Sequence, residues 1–246
     1  DGSSLDFAFR YQENNVTLYH GTTGIILNSV SLTPNQLPLE MKVGNFNSSL
    51  PYSEIFMLVR DLDLGGFPIF NLYDYSGSLK MSASESISDI TKILVNGSFL
   101  PDGSNGIGFV GEVSGNQGVH FFYTNNLTYS HYIDFSFPIR DLAVGNFNND
   151  GFADILIDTG YGLFYTYNGL TGTNINYHLY GYPNPDIYQV KPMAWDTSSA
   201  TDELVVNIRQ KGVRIIDVNG NTLWDLAIPQ LLNRSESRII VREMGS

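Results

Sequence analysis

The sequence predicts an all-β protein assembled from repeats, and two observations carry that prediction. Short runs of β-branched and aromatic residues alternate with turns rich in Gly and Asn throughout the 246 residues, which is the pattern of strands joined by tight turns. Almost no segment has the apolar spacing of a helix; the exception is a short helical turn predicted at 226–232, which Pro229 would limit. The second observation is that one short motif recurs at a nearly constant interval.

The recurring motif is a glycine followed by a polar residue and an aromatic one. It occurs as Gly44-Asn45-Phe46, Gly97-Ser98-Phe99 and Gly145-Asn146-Phe147, and Met193-Ala194-Trp195 fits the same frame. Successive aromatics of this motif are 53, 48 and 48 residues apart. A period of about 45–50 residues without helices is the size of a four-stranded β-propeller blade.

Each repeat contains the same order of predicted strands. One strand leads into the motif, as at 141–144, and a second strand follows it. A third strand is aromatic or β-branched, and a Gly or Asn turn such as Asn168-Gly169 opens the fourth. The predicted second strands are 55–59, 107–110, 155–157 and 204–208, and the predicted third strands are 69–73, 119–123, 163–167 and 213–218.

The two ends of the chain predict how the array closes. Residues 5–30 resemble a blade that lacks its first strand, and residues 238–244 resemble that missing strand. We therefore expect a five-bladed β-propeller of four-stranded blades, one of them closed by N- and C-terminal strands, because this pairing removes exposed strand edges. The alternative is a slice of a longer repeat array. The predicted single domain spans 1–246, with repeats near 5–37 joined by 238–246, then 38–86, 87–136, 137–187 and 188–232.

The composition fits a globular domain with an acidic surface. Apolar residues make up 42% of the chain, enough for a substantial core, and the formal net charge is −12. An acidic surface repels nucleic acid and anionic membranes, so neither is an expected partner. No run approaches the roughly 20 apolar residues that span a bilayer. The chain has no cysteine, so no disulfide stabilises the predicted fold.

Five acceptor triplets for N-glycosylation favour an extracellular or cell-surface protein. All five fall at predicted loops or turns, although a chain rich in Asn and Ser also produces such triplets by chance. The first residue is Asp1 rather than Met, so we also expect processing from a precursor whose signal peptide has been removed. The triplets begin at Asn15, Asn47, Asn96, Asn126 and Asn233.

The most distinctive segment is the loop that contains the third copy of the motif. Oxygen-bearing side chains stand at its first, third, fifth and ninth places, and the seventh place can offer a backbone carbonyl. Ca²⁺ prefers about six to eight oxygen ligands, and a carboxylate-rich loop with a Gly at its bend supplies them. The candidate ligands are Asn146, Asn148, Asp150, the carbonyl of Phe152, and Asp154.

Residues 144–156, VGNFNNDGFADIL, resemble the FG-GAP/VCBS repeat of integrin α-subunit propellers and of many secreted surface proteins. The resemblance implies that this loop holds one Ca²⁺ between the first two strands of its blade. Family members usually have Asp where Asn146 stands, so the expected affinity for Ca²⁺ is weak to moderate. The alternative is that Asp150-Gly151 forms only a turn and that Asp154 only binds backbone amides within it.

Signals for catalysis are few. Neither a nucleophile elbow nor a phosphate-binding glycine loop occurs, so we expect a protein that is not an enzyme. The alternative is a carbohydrate-active enzyme resembling the five-bladed glycosidases, which would need two carboxylates close to the propeller axis. The candidate carboxylates are Asp61, Asp63, Glu112, Asp158 and Glu203.

The sequence as a whole predicts a module for recognition, adhesion or surface assembly, in which the Ca²⁺ loop is a structural clip. The expected partner is a protein or a glycan at a cell surface, or other surface subunits. Tyrosines suit both kinds of partner because each has a flat apolar body and a polar tip; alternatively, these rings only pack between blades. The tyrosines in question are Tyr161, Tyr165, Tyr167, Tyr177, Tyr180 and Tyr182.

Overall fold

The regular structure is entirely β in the part of the chain that the computed structural model describes. That part contains nineteen strands and no helix. It comprises residues 7–12, 15–20, 23, 25–44, 54–66, 68–74, 76–84, 94–100, 105–113, 116–135, 137–160, 162–179, 187–194, 199–208 and 212–227.

The described strands form five antiparallel sheets, and strands that are adjacent in the chain are adjacent in the sheet. The first sheet has three strands: β1 (Phe7–Gln12), β2 (Asn15–His20) and β3 (Ile26–Ser31). The second is β4 (Gln36–Gly44), β5 (Glu54–Asp61), β6 (Pro68–Tyr73) and β7 (Leu79–Ser84), and the third is β8 (Leu94–Gly97), β9 (Gly106–Val113), β10 (Asn116–Tyr123) and β11 (Tyr129–Asp134). The fourth is β12 (Asp141–Gly145), β13 (Asp154–Asp158), β14 (Leu163–Tyr167) and β15 (Asn174–Leu179), and the fifth is β16 (Ile187–Met193), β17 (Glu203–Ile208), β18 (Gly212–Ile216) and β19 (Thr222–Ala227).

The two strands predicted to follow the repeated motif in each repeat are confirmed. The predicted second strands lie within β5, β9, β13 and β17, and the predicted third strands coincide with β6, β10, β14 and β18 to within a few residues. The predicted helical turn at 226–232 is wrong where it begins. Leu226 and Ala227 extend β19, because they pair with Val213 and Gly212 of β18; the rest of that segment lies outside the described residues.

The last two strands of every sheet share one irregularity, which indicates that the five sheets are copies of one unit. The first residue of the outer strand pairs with the end of the preceding strand, the second is an extra residue, and pairing resumes at the third, as in a β-bulge. In the fourth sheet, Tyr167 pairs with Asn174 and Thr166 with Asn176, so the extra residue is Ile175. The five extra residues are Leu27, Lys80, Ser130, Ile175 and Leu223.

The shared bulge also places the three strands of the first sheet within the repeat. Because the bulge lies between β2 and β3, strands β1, β2 and β3 occupy the second, third and fourth places of a blade. The sequence predicts this assignment for residues 5–30. The strand predicted to complete the sheet, at 238–244, lies outside the described residues, so closure of the array stays a prediction.

The chain divides into two compact units, each with its own core. Unit 1 comprises Asp1–Asn96 and Ser104–Asp134, and it contains the first two sheets and nearly all of the third. Unit 2 comprises Gly97–Gly103 and Phe135–Ser246, and it contains the fourth and fifth sheets. The single domain over 1–246 stays a prediction.

The core of unit 1 is aromatic where the second and third sheets meet. Phe56 and Phe70 pack with Phe109 and Phe122, and the ring centroids of successive neighbours are 5.0–5.8 Å apart. All four rings are at most 1% exposed. Burying each ring contributes about 1.5–3 kcal/mol to the free energy of unfolding. A second cluster joins the first and second sheets through Val16, Val30, Ile55, Met57 and Val59.

The core of unit 2 explains the repeated motif. Phe147 is 1% exposed and belongs to a cluster with Phe164 of β14 and Val190 of β16. Its ring folds back over the glycine two residues earlier: a Cβ on Gly145 would lie 2.6 Å from that ring. Gly97 stands in the same relation to Phe99, at 2.9 Å. These two copies of the motif therefore begin with glycine because the aromatic residue occupies the space that a larger side chain would need.

Candidate functional site

The predicted Ca²⁺ loop, residues 146–153, joins β12 to β13 and is held by hydrogen bonds between its own side chains and backbone. Asn146 Oδ1 accepts the N–H of Asn149 at 2.9 Å, and Asn148 Oδ1 accepts the N–H of Asp150 at 3.0 Å. Two residues have left-handed backbone, Asn149 at φ 59° and Gly151 at φ 86°. Gly, and to a lesser degree Asn, adopt this conformation at low cost, so these residue types are required at the bend.

Asp150 is exposed and is the acceptor on which the loop side chains converge. Its Oδ1 accepts the N–H of Phe152 at 2.9 Å, and its Oδ2 accepts the amide N–H groups of Asn148 at 3.0 Å and Asn168 at 2.5 Å. Slight burial opposes ionisation, but these donors outweigh it and lower the pKa of Asp150. The contact with Asn168 also ties the loop to the turn between β14 and β15, which the sequence does not predict.

Asp154, at the first position of β13, is completely buried. Its Oδ2 accepts the N–H of Phe147 at 2.7 Å, and its Oδ1 accepts the N–H of Gly169 at 3.3 Å. Burial raises the pKa of this carboxyl from 3.8 to about 6; the amide donors oppose the shift, and the negative charge of Asp150 adds to it. Asp154 therefore binds backbone amides, as expected if the loop is only a turn. It lacks a positive charge beside it.

The lysine and arginine side chains described in unit 2 do not supply that compensation. Each of them is ion-paired with a carboxylate outside the loop, in the pairs Arg140–Asp158, Lys191–Asp141 and Arg214–Asp225. Among the described residues, no group of three or more His, Cys, Asp or Glu side chains lies close enough together to hold a metal ion. The candidate set is instead two carboxylates, two amides and one backbone carbonyl, and oxygens of these kinds are those that Ca²⁺ accepts.

The loop also forms hydrogen bonds with two other segments of unit 2. Asn146 donates its N–H to Asp202 at 2.8 Å and accepts the N–H of Asp202 on its carbonyl at 2.6 Å. On the other side, Ala153 donates its N–H to the carbonyl of Ser98 at 3.1 Å. Asp202 occupies the same place in its repeat as Asp154, so the sequence marks its position but not its role as a link between sheets.

The weaker copies of the loop fall mostly outside the described residues. Residues 45–53, 101–104 and 195–198 belong to that category. The sequence predicts at most one cation site, because each of the other copies lacks at least one of the two loop carboxylates, and this stays a prediction.

The first two carboxylates considered for glycosidase chemistry accept local hydrogen bonds in unit 1. In unit 1, Asp61 Oδ1 accepts the N–H groups of Asp63 and Leu64 at 2.9 and 3.3 Å. Its Oδ2 accepts the side-chain amide of Gln36 at 2.9 Å. The bond from Gln36 is the main cause that lowers the pKa of Asp61. Asp63 accepts the side-chain amide of Asn35 at 2.7 Å, so both carboxylates are engaged in local hydrogen bonds.

In unit 2, Asp158 occupies the place that corresponds to Asp61. It is buried, forms an ion pair with Arg140, and accepts the N–H of Gly160 at 2.8 Å. Burial raises the pKa of Asp158 in spite of Arg140. Glu203 is buried at the start of β17, and Glu112 of unit 1 is half-buried. Asp61 and Asp158 therefore complete turns, which does not favour a catalytic role.

The predicted glycosylation sites occupy different settings. Asn15 is exposed but is the first residue of β2, and Asn96 lies inside β8, so the expectation that all five fall in loops is wrong for these two. Asn126 is exposed in a turn, where its Oδ1 accepts the N–H and hydroxyl of Thr128 at 3.0 and 2.6 Å. Asn47 and Asn233 lie outside the described residues.

Of the tyrosines considered for recognition, Tyr177 is 62% exposed, whereas Tyr165 and Tyr167 are half-buried. Tyr161, Tyr180 and Tyr182 lie outside the described residues. Phe137, which the sequence does not single out, is 50% exposed and stacks on Tyr165. No helix within the described segments is long and apolar enough to cross a membrane.

Comparison with known proteins identifies the fold. No family model matches the chain, and no curated protein matches it. Among solved structures, the chain is similar to BBS1N in a complex with ARL6DN, with a TM-score of 0.64 and 11% identity over 91% of this chain and 64% of that one. It is also similar to the Dos1 propeller, with a TM-score of 0.56 and 13% identity over 88% of this chain and 55% of that one. A third similar structure is Raptor of Chaetomium thermophilum, with a TM-score of 0.55 and 11% identity over 87% of this chain and 19% of that one.

These similarities show the class of fold, which is that of β-propellers. The chain spans 64% of the length of BBS1N, so the similarity covers part of that domain. Five blades and membership of the FG-GAP/VCBS family stay predictions.

The predicted extracellular or cell-surface location is wrong. BBS1 and Dos1, whose propellers resemble this chain, are intracellular proteins, and nothing shows a secreted precursor. The prediction depended on acceptor triplets that an Asn-rich chain forms by chance. N-glycosylation at the five asparagines would require passage through the secretory pathway.

Proposed function

We propose that this chain is a non-enzymatic protein-interaction module. The observation that carries the proposal is its structural similarity to BBS1N, a propeller seen in complex with the protein ARL6DN. Two further features support it. The candidate catalytic carboxylates Asp61 and Asp158 are held within hairpins, and links such as Asn146–Asp202 hold the loops of neighbouring sheets in fixed positions. A fixed loop loses little conformational entropy when it binds a partner.

The test is affinity capture on the folded chain, followed by reconstitution with the purified partner. We expect one partner to bind saturably in calorimetry and to lose binding when the chain is heat-unfolded. Hydrolysis assays with a panel of glycoside substrates test the alternative that the chain is an enzyme. Hydrolysis that disappears in Asp158→Asn would show an enzyme and would contradict the proposal.

We further propose that the loop at 146–153 holds one Ca²⁺ as a structural clip. The ligands are the side chains of Asn146, Asn148, Asp150 and Asp154 and the carbonyl of Phe152. Bound Ca²⁺ would neutralise the two carboxylates, whose mutual repulsion contributes to the raised pKa of Asp154. Because Asn146 is a neutral amide, the expected Kd is weak, on the order of 10⁻⁴–10⁻³ M.

We also propose that residues 238–244 pair with β1 and close a five-bladed ring. The support is the register of the first sheet, whose three strands occupy the second to fourth places of a repeat. Removing residues 233–246 should then lower the melting temperature of the whole chain in one cooperative transition. An unchanged melting temperature would favour a slice of a longer array.

A further inference from the structure

Three neighbouring aromatic side chains of unit 2 lie outside its hydrophobic core cluster. Tyr165 of β14 is the middle ring. Phe137 stacks on it, with centroids 6.5 Å apart and planes at 20°, and Tyr177 of β15 also neighbours it, with centroids 6.2 Å apart. Phe137 is 50% exposed and Tyr177 is 62% exposed. We refer to these three residues as the aromatic row.

The middle of the aromatic row is held in place by strand pairing and by a buried ring. Tyr165 and Tyr177 are directly opposite each other in the β14–β15 ladder. Phe135, which is only 4% exposed, meets Tyr165 edge-on at 5.0 Å and Tyr167 at 6.2 Å. Strand pairing and the buried ring beneath thus fix the middle of the row. Binding to a surface that is already ordered loses less side-chain entropy.

The charge of unit 2 selects the kind of partner. Its described residues include eight carboxylates and three Lys or Arg side chains. Five of those carboxylates and all three cations are at least partly exposed, so the net charge of the described surface is negative. Such a surface attracts a basic partner. Aromatic faces add to this preference, because an arginine or lysine placed over a ring is attracted to its electron-rich face.

The spacing of the rings selects the partner's conformation. An extended chain rises 3.2–3.4 Å per residue, so side chains on one side of it recur about every 6.6 Å. The ring separations of 6.5 and 6.2 Å are close to that repeat. We propose that the aromatic row binds an extended, arginine-bearing segment of a partner protein, with alternate side chains over successive rings. This proposal rests on the proposed function and names the surface and the partner's chemistry.

The test uses labelled peptides and the whole chain. The first peptide alternates arginine with threonine, and a second has the same composition with its arginines adjacent. We expect the alternating peptide to bind more tightly in fluorescence anisotropy. Tyr177→Ala should weaken that binding about two- to fivefold, as expected for one exposed cation–π contact. The double variant Tyr165→Leu with Tyr177→Ala should weaken it by at least the same factor again.

The matched control is Tyr132→Ala in unit 1. Tyr132 is opposite His120 in β10, as Tyr177 is opposite Tyr165 in β14, and it is also exposed, at 46%. This variant should leave peptide binding unchanged. The proposal is overturned if both peptides bind equally, if Tyr177→Ala has no more effect than Tyr132→Ala, or if no arginine peptide binds. It is also overturned if light scattering shows a dimer that Tyr177→Ala dissociates, since the row would then contact a second copy.

Failure of this inference can be separated from failure of the proposed function. If the partner identified by affinity capture binds Tyr177→Ala as tightly as the unaltered chain, the module binds proteins through another surface. In that case the function stands and the aromatic row is not the docking site. If no protein partner is found and glycosides are hydrolysed, the function itself fails.

Discussion

Two buried aspartates, one in each unit, have pKa values that are shifted in opposite directions. Asp74 in unit 1 is 5% exposed, accepts the N–H groups of Ser76 and Ser78 at 2.9 Å, and pairs with Lys80 at 2.8 Å. Burial opposes its ionisation, but the bonds from Lys80, Ser76 and Ser78 and the charge of Lys80 lower its pKa to about 2. Asp154 in unit 2 also accepts two backbone N–H groups, yet burial raises its pKa to about 6.

The two carboxylates differ in charge compensation, and burial is the largest cause of the raised pKa of Asp154. Both carboxylates have backbone donors, but Asp74 has an ammonium group beside it, and Asp154 instead has the negative charge of Asp150 nearby. A cation bound at the loop would place a positive charge beside Asp154, as Lys80 does beside Asp74. This comparison is the strongest physical reason to test the loop for Ca²⁺.

The largest expected effect comes from deleting the buried acceptor. Asp154→Ala would leave the N–H groups of Phe147 and Gly169 without their acceptor, which should lower the free energy of unfolding by about 2–4 kcal/mol. Asp154→Asn keeps one side-chain oxygen and removes the buried charge, so it should cost less than Asp154→Ala. Urea unfolding in the presence of chelator measures both. Equal losses for the two variants would show that the oxygen is not the important group.

The next effect tests the cation directly. Millimolar Ca²⁺ at roughly 10–100 times Kd should raise the free energy of unfolding by about 1.4–2.7 kcal/mol through mass action. The gain should disappear in Asp154→Asn and in Asp150→Ala, whereas Asp74→Asn should keep it. Thermal melts in Ca²⁺, in Mg²⁺ and in chelator provide the comparison. If Ca²⁺ gives no shift while melting stays cooperative, the loop is only a turn.

The two aspartates should also give opposite pH dependences. Asp154 has a raised pKa in the folded state, so its contribution to stability is fully present below about pH 3.8 and is lost as the pH rises through about 6. Asp74 has a lowered pKa, so its contribution is present above about pH 3.8 and is lost as the pH falls through about 2. The measurement is the difference in unfolding free energy between the unaltered chain and Asp154→Asn from pH 4 to pH 7.5. In chelator the unaltered chain should become more stable relative to Asp154→Asn as the pH falls, and an effect of the opposite sign would refute the assignment.

The smallest effect comes from removing the positive charge of Lys80 beside Asp74. Lys80 is 44% exposed, so solvent screens its interaction with Asp74, and Lys80→Met should cost only about 0.5 kcal/mol. The same change should raise the pKa of Asp74 toward its ordinary value. Side-chain carboxyl shifts in NMR titrations of the two proteins report this pKa. An unaltered titration would mean that the serine donors alone keep the pKa low.

Sequence patterns predict the strands well because each blade repeats the same local rules. The motif beginning at Gly97 or Gly145, the turns, and the alternation within strands are encoded over a few residues. The candidate loop is predicted for the same reason, including the positions of Asn146 and Asp154. Contacts made across the fold are harder to predict. The bonds from Asn168 to Asp150 and from Asn146 to Asp202 join residues 18 and 56 positions apart, and no local pattern marks them.

Other features follow from packing alone and have no sequence signal. Phe137 follows an irregular segment, and only the placement of Tyr165 beside it reveals the aromatic row. The location of the protein in the cell is a different case. Acceptor triplets are common by chance in an Asn-rich chain, so the five that begin at residues such as Asn15 and Asn126 led to a wrong prediction.

The bulge that recurs once in each sheet gives this protein a built-in set of labelling positions. The extra residues Lys80, Ser130, Ile175 and Leu223 lie at the same place in four sheets, and the chain has no cysteine of its own. A single cysteine introduced at each position in turn would carry a spin label, whose mobility reports the local motion of that bulge in the native protein. Because the position is structurally equivalent, the motion can be compared from one blade to the next.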